Sequence, residues 1–182
     1  MDSNILHAMA TLAAKKDIRY YLNGILVEWN SKTTRIVATD GHKLGIYNLP
    51  DQDNANSGSV IIPLDALTGL KGDVIVDWNT LTTSDSVKTF TPIDAKYPDY
   101  ARVTAAREPS GIAGQFNVDY MAQFQKVARM LGKKTDAAVF YHNGANNSAR
   151  VSITSDDNFY GVLMPTKLEM TTTCVDNFIG GL

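Results

Sequence analysis

Asp40 and His42, split by Gly41 and followed by Lys43, are the residues of this chain that most invite a catalytic or metal reading. A carboxylate beside an imidazole can move a proton or hold a cation. The constellation grows no further. His7, His42 and His142 stand far apart, and no His-Glu-x-x-His spacing joins them. Neither a nucleophile motif nor a phosphate loop accompanies them. Cys174 is the only cysteine, so neither an intrachain disulfide nor a cysteine-based metal site can form. Asp40-Gly41 reads as turn chemistry instead. The sequence therefore predicts no catalytic residue, no metal and no cofactor. Trp29 and Trp78 read as core or sheet residues rather than ligand platforms.

The elements around that turn recur as a unit used three times. The first copy opens with a helix. Asp2, Ser3 and Asn4 are good N-caps, and Ile5, Leu6, Met9, Leu12 and Ala13 fall at helical spacing. Lys15 and Lys16 close it, where cations suit the helix dipole. Segments 20–29, 34–39 and 44–49 read as strands, and 50–59 as a polar loop. The second copy opens with Val60-Ile61-Ile62. Pro63 is then placed as the first residue of a short helix over 64–70, ended by Gly72. Segments 74–78, 80–84 and 87–91 follow as short strands rich in β-branched residues. Residues 104–114 hold Pro, Ser and two Gly and read as a linker. The third copy carries a helix over 119–131 and strands over 138–143, 149–154 and 159–164. On that helix Val118, Met121, Phe124, Ala128 and Leu131 form one apolar stripe. Gln123, Lys126 and Arg129 fall toward another face, with Lys133 and Lys134 after its end. Runs of short strands with a few helices predict an α+β fold.

Composition bounds the rest. A chain of 182 residues can bury a real core without staples, as one large domain or one and a half small ones. Apolar and charged fractions are those of a globular protein. The formal net charge of −2 gives the whole molecule no strong attraction to nucleic acid, so any DNA contact needs a local basic face. No apolar run approaches the roughly 20 residues that span a bilayer, and the first residues lack the pattern of a signal peptide. These features predict no membrane partner and a reducing, cytoplasmic setting.

The stretch Arg19-Tyr20-Tyr21-Leu22-Asn23-Gly24-Ile25-Leu26, followed by Val37-Ala38-Thr39-Asp40-Gly41-His42-Lys43-Leu44, resembles the middle domain of the bacterial sliding clamp, the β subunit of the replicative DNA polymerase. Tyr97-Pro98-Asp99-Tyr100-Ala101-Arg102-Val103 and Val162-Leu163-Met164-Pro165 extend the match in the family's order. The resemblance implies the DNA clamp fold, built of about three helix-plus-strands half-units, with helices on one face and antiparallel sheets on the other. It divides the chain into a clamp-like domain over 1–104, a linker over 105–114, a half-domain over 115–168 and a tail over 169–182. The first clamp domain and half of the last have no counterpart, and the pared-down form fits a phage or mobile-element origin.

Members of that family do no chemistry. They encircle duplex DNA and hold other proteins through a shallow apolar pocket, which receives a peptide carrying a glutamine and two large apolar side chains. By resemblance the pocket here is built from Arg19, Tyr21, Leu22, Thr39, Gly41, His42, Lys43, Leu44, Pro98, Val103, Tyr120, Val162, Met164 and Pro165. Leu, Val, Met and Pro would form its floor, and methionine adapts its shape to different anchors. Residues facing the DNA would be Lys15, Lys16, Gln123, Lys126, Arg129, Lys133 and Lys134. The same lysines also fit an ordinary solvated helix face. The implied partners are DNA polymerase or other clamp-binding proteins through a linear motif, with duplex DNA bound without sequence preference. Self-assembly into a homo-oligomeric ring and an unrelated α+β enzyme are the competing readings.

Overall fold

The computed structural model describes residues 1–50, 56–104 and 114–166. The expected tail over 169–182, most of the linker and part of the polar loop lie outside them. Helix α1 spans Ser3–Ala10, with the Asp2 carboxylate accepting from the Asn4 N–H at 2.8 Å. Strands β1 (Gly24–Trp29), β2 (Thr33–Thr39), β3 (Lys43–Pro50) and β4 (Gly58–Pro63) follow. Short strands β5 (Ile75–Val76), β6 (Thr80–Thr82) and β7 (Val87–Thr89) precede helix α2 (Val118–Leu131), and β8 (Ala138–Tyr141), β9 (Ala149–Ile153) and β10 (Asp156–Leu163) follow it among the described residues. The fold is α+β, as the strand-rich pattern predicts.

Seven strands form one antiparallel sheet in the order β4-β1-β2-β3-β10-β9-β8, and β5-β6-β7 form a second. The large sheet therefore runs from the opening strand of the second copy through the first copy and into the third. Its seam is the pairing of β3 with β10, which places Leu44 opposite Val162, Gly45 opposite Gly161 and Tyr47 opposite Phe159.

Strand alternation divides the core in two. Ile25, Val27, Ile36, Ala38, Tyr47, Phe159 and Leu163 face the helices and pack with Leu6, Met9, Leu12, Phe124 and Val127. Leu26, Val37, Leu44, Ile46, Ile61 and Val162 face the opposite way and pack under Tyr97, with Ile93 and Tyr100 alongside. Period two thus explains why β1 and β2 are buried on both faces. One face is covered by α1 and α2, the other by the irregular segment 92–100.

Several strand ends shift, Trp78 is exposed outside any strand rather than in the core or sheet, and three elements depart further from the sequence reading. The first helix ends at Ala10, not at Lys16, because the Ala14 N–H is given to the Leu22 carbonyl at 3.0 Å instead of continuing a helical ladder. Residues Tyr20–Leu22 make a 3-10 turn rather than the start of a strand, pulled in by the Asn23 side chain, which bonds the Asp17 N–H and carbonyl at 2.9 and 2.8 Å. Pro63 closes β4 rather than opening a helix, and only a four-residue 3-10 turn, Leu64–Leu67, follows it. Gly69 takes a φ of 81° directly afterwards, which ends any helical run.

Candidate functional site

The β2–β3 turn is built before anything docks on it. Thr39 Oγ1 donates to the Lys43 carbonyl at 2.7 Å and accepts from the Gly41 N–H at 3.0 Å. Asp40 Oδ1 accepts from the N–H groups of His42 and Lys43 at 2.9 and 3.0 Å. Gly41 has a φ of 91°, where a side chain is strained, and a Cβ there would also meet Arg19 Nη1 at 2.9 Å. Arg19 itself is clamped. Its Nε and Nη2 donate to both oxygens of Asp17 at 3.0 and 2.7 Å, and Nη2 reaches the Asp40 carbonyl at 3.1 Å.

That side-chain bonding from Arg19 holds the Asp17 carboxyl at about 2, down from the ordinary 3.8. A depressed folded value contributes stability that is fully present above the unfolded value and is lost as pH falls through the folded one. The clamp is therefore expected to stay closed from neutral pH to well below pH 3.8. Carboxyl NMR titration should place the Asp17 midpoint at about 2, rising toward the ordinary value in Arg19→Ala, where the residue-19 N–H still donates to Oδ1. An ordinary midpoint in the unaltered protein would remove the clamp.

Lys43 is buried, its side chain only 2% exposed, and its ammonium bonds the Asp40 carboxylate. The same ammonium sits 4.9 Å from the ring centre of Tyr120, a cation–π contact. His42 stacks on that ring at 5.7 Å with planes 15° apart. Tyr120 lies in the first turn of α2, so it ties the turn to the helix of the third unit.

A cavity of about 300 Å³ opens on the face away from the helices, where the covering segment 92–100 stops short. It is lined by Arg19, Tyr21, Leu22, Thr39, Gly41, His42, Lys43, Leu44, Pro98, Val162 and Met164, with Asp99 and Tyr100 added. The early and late stretches meet there because Leu44 and Val162 are paired across the seam, and the Met164 N–H extends the ladder to the His42 carbonyl at 2.9 Å. Of the fourteen pocket residues expected from the sequence, Tyr120 stands behind His42 and lines the neighbouring cleft instead. Pro165 follows Met164 without lining the cavity, and Val103 ends the 3-10 turn Tyr100–Val103.

Asp99 and Tyr100 were missed, although both lie inside the motif that runs from Tyr97 to Val103. Tyr100 owes its place to a polar cluster on the sheet. Arg35 Nη1 donates to its hydroxyl at 2.9 Å, Arg35 Nε donates to Asn48 at 2.9 Å, and the hydroxyl donates to Glu28. Burial pushes the Tyr100 phenol above its ordinary value, so it remains a donor near neutral pH. This cluster pins the wall of the groove to β1 and β2.

A second cleft of about 570 Å³ lies on the helix side of His42 and Lys43, and both residues line it as well. Four residues expected to face DNA, Lys15, Lys16, Gln123 and Lys126, are brought together there. Arg129, Lys133 and Lys134 stay apart from it, exposed at the far end of α2 and just beyond. The histidines are scattered: His7 Nε2 lies 3.0 Å from the Leu70 carbonyl, and His142 packs beside Phe116. Among the described residues no three His, Cys, Asp or Glu come close enough to share a metal ion, and no helix is long and apolar enough to cross a membrane.

Comparison with known proteins adds an independent line. The model of the family described as DNA polymerase III beta subunit, central domain, matches residues 3–99. The beta sliding clamp of Escherichia coli (strain K12) is 34% identical over 110 residues, covering 54% of this chain and 30% of that protein. The beta sliding clamp of Pseudomonas aeruginosa is 39% identical over 105 residues, covering 50% and 28%. The chain thus spans less than a third of the length of these relatives. In three dimensions it is similar to the DNA polymerase III subunit beta of Pseudomonas aeruginosa, with a TM-score of 0.72 at 22% identity over 91% of this chain and 64% of that one. The beta subunit of Thermotoga maritima gives 0.68 at 16% identity over 92% and 65%. At such identities these two structures speak for the clamp fold alone. A further Pseudomonas aeruginosa clamp, TM-score 0.66, is bound to griselimycin.

Proposed function

Because the chain belongs to the DNA polymerase III beta subunit family, the sliding clamps, we propose that it docks short linear motifs of DNA polymerases or repair proteins in the groove at the β3–β10 seam. The observation that carries this reading is the pairing of Leu44 with Val162, which turns two distant stretches into one apolar cavity. Leu22, Leu44, Pro98, Val162 and Met164 supply anchor contacts, and Arg19, Thr39, His42 and Tyr100 supply polar ones. A few buried anchors dominate the energy of such contacts.

The protein acts in this reading as a non-catalytic processivity factor or clamp modulator in the cytoplasm. Residues 1–104 form the clamp-like domain and 115–168 the added half-domain. Contact with duplex DNA is sequence-blind and sensitive to salt, and it falls to Arg129, Lys133 and Lys134 at the end of α2.

A peptide of the Gln-x-x-Leu-Phe kind is expected to bind with micromolar affinity, about −8 kcal/mol, by fluorescence polarisation. Met164 is half-exposed at the rim of the groove, so Met164→Ala should weaken binding about tenfold without disturbing the fold, a loss of about 1.4 kcal/mol. Absence of binding at high micromolar protein would count against the groove.

A second reading is a self-assembled ring. It is favoured by β8, the last strand of the large sheet, whose outer edge is unpaired among the described residues. Native mass spectrometry decides it, since a monomer at working concentration excludes a stable ring.

A further inference from the structure

We infer that the lysine cleft beside the groove receives a run of acidic residues adjoining the apolar anchors of the docked peptide. This deepens the groove reading and rests on it. The two cavities share His42 and Lys43, and His42 is exposed. A chain leaving the groove past His42 would therefore meet the cleft.

The cleft's charge is lopsided. Its carboxylates are already engaged: Asp17 by Arg19 through both oxygens, and Asp40 by the Lys43 ammonium and two backbone N–H groups. Lys15, Lys16 and Lys126 are exposed and have no ion-pair partner among the described residues. They carry the uncompensated charge of the site. The apolar groove, by contrast, is lined by Arg19 and Lys43, whose charges are already met by Asp17 and Asp40. Charge selection would therefore act beside the anchors and not among them.

The lysines are also held in place. Lys16 has a φ of 60° and is the one non-glycine residue with positive φ among those described. The loop that imposes this is closed by the Ala14 N–H on the Leu22 carbonyl and by the Asn23 side chain on the Asp17 backbone. Leu22 lines the groove, so the strand of contacts that shapes one cavity also presents Lys15 and Lys16 to the other. A run of four acidic residues reaches at most about 14 Å.

The test uses fluorescence anisotropy on the full chain with a Gln-x-x-Leu-Phe peptide. The peptide is measured alone, with four glutamates added before or after it, and with four glutamines in each position. One of the two glutamate peptides should bind about tenfold tighter than its glutamine counterpart at low salt. The gain should vanish in the Lys15→Gln/Lys16→Gln/Lys126→Gln variant, which should bind the unextended peptide as the wild type does. Equal affinity for glutamate and glutamine peptides, with the unextended peptide bound, overturns the inference and leaves the groove reading standing. Failure of the unextended peptide to bind overturns both. A duplex oligonucleotide held by the wild type and lost in the triple variant, with no glutamate gain, assigns these lysines to phosphate and overturns the inference.

Discussion

Replacing Gly161 with valine is expected to destabilise the protein by about 3 kcal/mol, the upper end of what overpacking a close-fitted core costs. A Cβ at Gly161 would stand 2.8 Å from Phe124 Cε1 and 2.9 Å from Val151 Cβ. Val151 Cβ is fixed to the backbone of β9, and the Phe124 ring is wedged edge-on against Phe140 and Phe159. Neither neighbour can yield by rotating a flexible end. Gly161 faces Gly45 across the seam, and there a Cβ would meet Leu12 Cδ1 at 2.4 Å. That contact is with the far end of a movable side chain, so Gly45→Ala should cost less. The facing glycines let Leu12 and Phe124 lie directly on the sheet at the join between the first and third units. Thermal unfolding should show a midpoint about 6–12 °C lower in Gly161→Val. Peptide binding should fall with it, since the seam positions Leu44 beside Val162. An unchanged midpoint would mean the seam is not closely packed.

The second large effect concerns the buried cation. Asp40→Ala leaves the Lys43 ammonium in a site where its side chain is 2% exposed, with only the Tyr120 ring for compensation. Breaking a buried pair from one side costs about 3–5 kcal/mol, because the remaining charge is desolvated without a partner. Asp40→Ala also removes the acceptor for the His42 and Lys43 N–H groups. Asp40→Asn keeps an acceptor oxygen there and should be the milder change. The double variant Asp40→Ala/Lys43→Met should recover much of the loss, since a methionine has no charge to strand. Chemical denaturation of the wild type, Asp40→Ala, Lys43→Met and the double variant gives the coupling between the two residues. If Asp40→Ala alone proves nearly neutral, Lys43 finds water or another partner and the pair does not hold the turn.

Both effects bear on how a groove is written into a chain. The strands were legible because each one must bury alternate side chains, and Leu26 against Ile25 and Val27, or Val37 against Ile36 and Ala38, records that need locally. The turn at Asp40-Gly41 was legible because its chemistry lies within four residues. The limits of α1 were not. Lys15 and Lys16 read as a helix terminus, yet their backbone is bent by Leu22 and Asn23, whose pull no window around residue 15 reveals. Asp99 and Tyr100 escaped for a similar reason, since Tyr100 is held by Glu28 and Arg35 from strands some 65 to 72 positions earlier.

The sequence by itself determined the family, the α+β pattern, the turn and most of the residues that line the groove. Each of these is a local matter of side-chain type, spacing and order. Only the tertiary structure decided that β10 pairs with β3 in the register that sets Val162 against Leu44, and that Tyr120 supports His42 from behind. It alone brought Lys15, Lys16 and Lys126 into one cleft. Such meetings join residues 78 to 118 positions apart. They are fixed by which strand edges pair and which faces pack, a competition among whole elements that no single stretch encodes.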